Sequence, residues 1–104
     1  MITGDTIPCQ STIDLARDVD LLLHMSPGSE DWDDPITARR VTTFGPGDLA
    51  RSAAESGAKK LVIVHMMGNA WDDPAETQKI LDEMSSIYDG KIVLGEDLME
   101  VTPD

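Results

Sequence analysis

Three side chains of this 104-residue chain have the types and positions for metal or acid–base chemistry: His65, His24 and Asp5. His65 ends the apolar run Leu61-Val62-Ile63-Val64, His24 ends Asp20-Leu21-Leu22-Leu23 in the same way, and Asp5 sits in Gly4-Asp5-Thr6. A neutral imidazole offers one nitrogen lone pair and one N–H near neutral pH, so it can exchange protons or ligate a metal, and a carboxylate offers anionic oxygens beside it. In open parallel sheets such groups gather beyond the carboxyl ends of the strands. Two strands ending in histidine would place both rings on one rim, and Asp5 would join them if a strand precedes it. For either histidine taken alone, a hydrogen-bonded core or rim residue is the ordinary reading.

The elements that must hold these groups follow from the apolar pattern. VDLLLHM (19–25), KKLVIVHM (59–66) and KIVLGED (91–97) read as strands buried on both faces, and the alternation in LMEVT (98–102) predicts an edge strand. PGDLARSAAESGA reads as a helix opening at Pro46 and closing at Gly57, with Leu49, Ala50, Ala53 and Ala54 as a narrow apolar stripe. DPAETQKILDEMSSIYDG reads as a second helix. Asp73 caps it, Pro74 and Glu76 suit its first turn, Ile80, Leu81, Met84 and Ile87 form the buried face, and Gly90 ends it. A short helix over 11–18 has Ser11 as its cap. The order helix, strand, loop, helix, strand, helix, strand, strand predicts an α/β fold with a mainly parallel sheet of about four strands and helices on one face, because right-handed crossovers put both helices on the same side.

The tetrapeptide Trp-Asp-Asp-Pro occurs at 32–35 and at 71–74, but its flanks share too little for a repeat. Both copies read as helix caps, since neither has the alternating oxygen ligands of a calcium loop. Residues 27–43, with Glu30, Asp31, Asp33 and Asp34, read as a long exposed loop containing a helical turn.

Length allows a single domain, 1–104. Eight basic against 20 acidic residues leave a charge of −12, which disfavours nucleic acid and anionic membranes as partners of the chain alone. No run approaches the roughly 18 apolar residues of a membrane span, and no basic-then-apolar leader opens the chain, so a cytoplasmic location is expected. The single cysteine, Cys9, makes no intrachain disulfide and is expected to be a small buried residue.

In this order and spacing, GDTIPCQSTIDLARDVDLLLHM, PGDLARSAAESGAKKLVIVHM and GKIVLGEDLMEV resemble the C-terminal half of a metallo-β-lactamase-fold hydrolase of the ribonuclease Z and phosphodiesterase branch, over nearly the whole chain. The resemblance implies that Asp5 matches an aspartate bridging two metal ions, usually zinc, that His65 matches a further metal ligand, and that His24 matches a strand-end histidine near the scissile group, a catalytic candidate. It also implies half of an αββα sandwich.

The sequence departs from that pattern. It has no His-x-His-x-Asp-His motif, Met25 follows His24 where an acidic residue is usual, and Thr43 or a close neighbour stands where a histidine is expected. Asp5 and His65 make two ligands where a catalytic zinc takes three from protein. The expectation is therefore a truncated half-domain, non-catalytic alone and without a cofactor of its own, that acts through self-assembly or binding of a ligand or partner. Zinc is expected only if a partner completes the site. The rival is a phosphodiesterase-like metal-dependent hydrolase completed by a complementary half-domain chain, and a third reading is a small-ligand module using the same rim. A sheet face without its cover predicts a homodimer packed sheet to sheet.

Overall fold

The computed structural model describes residues 1–4, 9–25, 46–66 and 69–103. Asp5, Thr43, the first Trp-Asp-Asp-Pro copy and the acidic segment around it lie outside the described residues. Three strands, β1 (Leu22–Met25), β2 (Lys60–Val64) and β3 (Lys91–Leu94), form a parallel sheet in the order β1-β2-β3. Leu22 pairs with Leu61 and His24 with Ile63, while Leu61 pairs with Ile92 and Ile63 with Leu94. The chain start adds a bridge at the outer edge of β1: Ile2 is paired parallel with Leu23, and Thr3 N–H donates to Leu23 O at 3.0 Å.

β1 starts later than the apolar pattern predicts. Asp18 has φ 54° and donates its N–H to Ser56 O, and Lys59 N–H donates to Val19 O, so residues 18–20 serve as a turn docked on the neighbouring connection. The expected edge strand at 98–102 is not formed. After Gly95 donates its N–H to Ile63 O at 2.8 Å the chain turns, with Met99 N–H bonded to Glu96 O, and Lys60 Nζ then meets Thr102 O. The alternation there reflects a segment laid across the sheet, with Met99 and Val101 facing it, instead of a ladder.

Three helices occur among the described residues: α1 (Gln10–Leu15), α2 (Pro46–Ser56) and α3 (Pro74–Ile87). The cap of α1 is Cys9, not Ser11, because Ile13 N–H already bonds Cys9 O and draws Ser11 into the first turn. Cys9 is exposed, against the expectation of burial, and its thiol lies 3.3 Å from Thr12 Oγ1. That hydrogen bond, first among the causes, lowers the thiol pKa.

The buried face of α2 is Leu49, Ala50, Ser52, Ala53 and Ser56, and Ala54 is exposed. The inward spacing is 49, 52, 53, 56, a helical face that includes two serines whose hydroxyls bond back to helix carbonyls, Ser52 to Asp48 O and Ser56 to Ala53 O. α3 begins as its sequence predicts, but it ends at Ile87 with Tyr88 as cap, not at Gly90, and Leu81 is only half-buried. Asp73 accepts from Ala75 N–H at 2.9 Å, Pro74 opens the first turn, and Met84 is buried with Ile80 and Ile87 packed beside it.

Leu22, Leu61 and Ile63 of the sheet meet Leu49, Ala50, Ala53 and Met84 of the helices in one core, so both long helices cover the same sheet face. Each such leucine or isoleucine contributes about 1.5–3 kcal/mol on burial. Tyr88 closes the amino-terminal end of this layer by donating its hydroxyl to Ala58 O at 2.6 Å.

Candidate functional site

The carboxyl ends of β1 and β2 carry the two histidines side by side in the chain layout, but in different settings. His24 is fully buried, on the helix-facing side of β1 with Leu22. Its Nδ1 lies 2.8 Å from Met25 O, which identifies Nδ1 as the protonated nitrogen of a neutral ring. Burial lowers its pKa, and the bond to the Met25 carbonyl opposes this in part.

His65 lies one residue past β2, is exposed, and has φ 52°. The run Leu61–Val64 is held by its pairing with the neighbouring strands, and the chain then bends at the histidine. A left-handed backbone costs an L-residue about 1–2 kcal/mol relative to glycine, less when the side chain is histidine than when it is β-branched. His65→Gly should therefore leave stability equal or slightly higher, whereas His65→Val should lose about 1–2 kcal/mol in urea unfolding. Equal midpoints for the two variants would contradict the left-handed assignment.

The resemblance implies zinc, which asks for three protein donors around one point. Among the described residues no three histidine, cysteine or acidic side chains gather in that way. Trp71 follows in the short 3-10 turn Asn69–Asp72, and its buried Nε1 has no hydrogen-bond partner among the described residues. An indole N–H is a donor and cannot ligate a cation. Cys9, the one thiol, caps α1. The described residues thus fit a contribution to a metal site through His65 and do not fit a closed cage.

Sequence reasoning expected a second sheet face without cover and did not foresee the segment that returns across it. There Leu21, Leu23, Val62 and Val64 line a groove of about 250 Å³, walled by Glu96 and Met99 of the returning segment. The signal was present in LMEVT, whose alternating apolar residues need an apolar surface, but alternation alone does not distinguish a strand from a strap.

No family model matches the chain. Its sequence is 35% identical over 92 residues to the ribonuclease Z of Myxococcus xanthus, covering 88% of this chain and 28% of that protein. It is 34% identical over 98 residues to the ribonuclease Z of Haloarcula marismortui and 30% identical over 99 residues to that of Methanosarcina acetivorans, covering 94% and 95% of this chain and 30% of each relative. The chain therefore spans about 30% of the length of the relatives it matches. Among solved structures, the metallo-β-lactamase fold protein YhfI from Bacillus subtilis superposes with a TM-score of 0.65 at 18% identity, over 91% of this chain and 36% of that one. Strand order, helix placement and sequence converge on one assignment: this chain is a C-terminal portion of the metallo-β-lactamase fold, similar in sequence to part of the ribonuclease Z proteins.

Proposed function

We propose that this chain is a non-catalytic portion of the metallo-β-lactamase fold that acts by self-assembly or by binding a ligand or partner, and that it keeps in His65 and Asp5 two ligand positions of a metal site it does not complete alone. The carrying observation is the state of the two histidines. The chain has only two. His24 is enclosed in the core with Nδ1 engaged by a carbonyl, which leaves His65 as the exposed imidazole. A bound metal in such a site would activate water for attack on a phosphoryl or acyl centre. In this chain His65, just past the end of β2, would present one donor and Asp5 a second, and His24 would act from the core as a positioning residue.

The rival reading, a phosphodiesterase-like hydrolase whose remaining ligands come from a second chain, draws support from the ribonuclease Z names of the relatives. The test is metal content by mass spectrometry after dialysis against zinc, with turnover of a generic phosphodiester measured on the same sample. Well under one zinc per chain and no turnover are expected. Stoichiometric zinc, lost together with turnover in Asp5→Ala and His65→Ala, would overturn the proposal.

A further inference from the structure

We draw no further inference here: the strongest candidate, the open bowl of about 400 Å³ at the amino ends of the strands between the ends of α2 and α3, is lined mainly by the small residues Ala54, Gly57, Ala58 and Gly90, with Lys59 already paired to Asp20 and the Tyr88 hydroxyl to Ala58 O, and nothing in the structure shows what would occupy it.

Discussion

Ile63→Ala is expected to remove about 2–5 kcal/mol of stability. Ile63 is fully buried as the penultimate residue of the middle strand, between His24 and Leu94 in register, and its carbonyl accepts the Gly95 N–H. The cavity left by truncation cannot collapse easily. Its walls are two paired strands and the buried residues of α2. Against the roughly 5–15 kcal/mol that holds a domain of this size together, the loss is severe. Val64→Ala, half-buried on the other face, should cost markedly less. Urea unfolding at neutral pH measures both, and a loss below about 1 kcal/mol for Ile63→Ala would mean that the core beneath the His65 strand end is not packed as described.

The second large effect is pH dependence carried by His24. Burial depresses its folded-state pKa below the ordinary value of 6.5. Between the depressed value and 6.5 the unfolded chain binds the proton and the folded chain does not, so stability rises with pH across that window. Stability from this group is full above 6.5 and is lost as pH falls toward the folded-state pKa, at up to about 1.4 kcal/mol per pH unit. Carboxyl groups in water ordinarily titrate near about pH 4, which leaves the upper part of the window to histidine. Unfolding free energies measured between about pH 7.5 and 5.5 should slope down with acidification in the unmodified chain and should be nearly flat in His24→Gln, whatever its absolute stability. A slope that survives in His24→Gln would assign the effect to another group.

Much of the architecture was legible because local and global preferences agree. The run Leu61–Val64 is apolar on both faces, so it had to be an inner strand, and it is β2 with a partner on each side. Asp73-Pro74 marks a helix start by a mechanism that needs no tertiary partner, and α3 begins there. Where a residue's role depends on what lies beside it, local pattern failed. Ala54 and Ser52 differ little in bulk, and only the angle at which α2 meets the sheet turns the serine inward and the alanine out. Cys9 is small and apolar enough to bury, yet its place at the start of α1 leaves it in solvent.

The candidate site divides in the same way. By itself the sequence determined that two strands end in histidine, that the chain is acidic, and that its motifs follow the order of the ribonuclease Z branch, because these are properties of residue type and spacing. Only the tertiary structure decided that the two rings differ. A strand's side chains alternate, so His24, two residues after the buried Leu22, points into the helix layer and loses its water, while His65 falls where β2 has ended and a left-handed turn carries it out of the pleat. The course of residues 96–102 over the second sheet face was likewise a tertiary decision, since an alternating apolar segment satisfies its own pattern equally well as a strand in a ladder or as a strap across one, and the bond from Lys60 to Thr102 O with the burial of Val62 selects the strap.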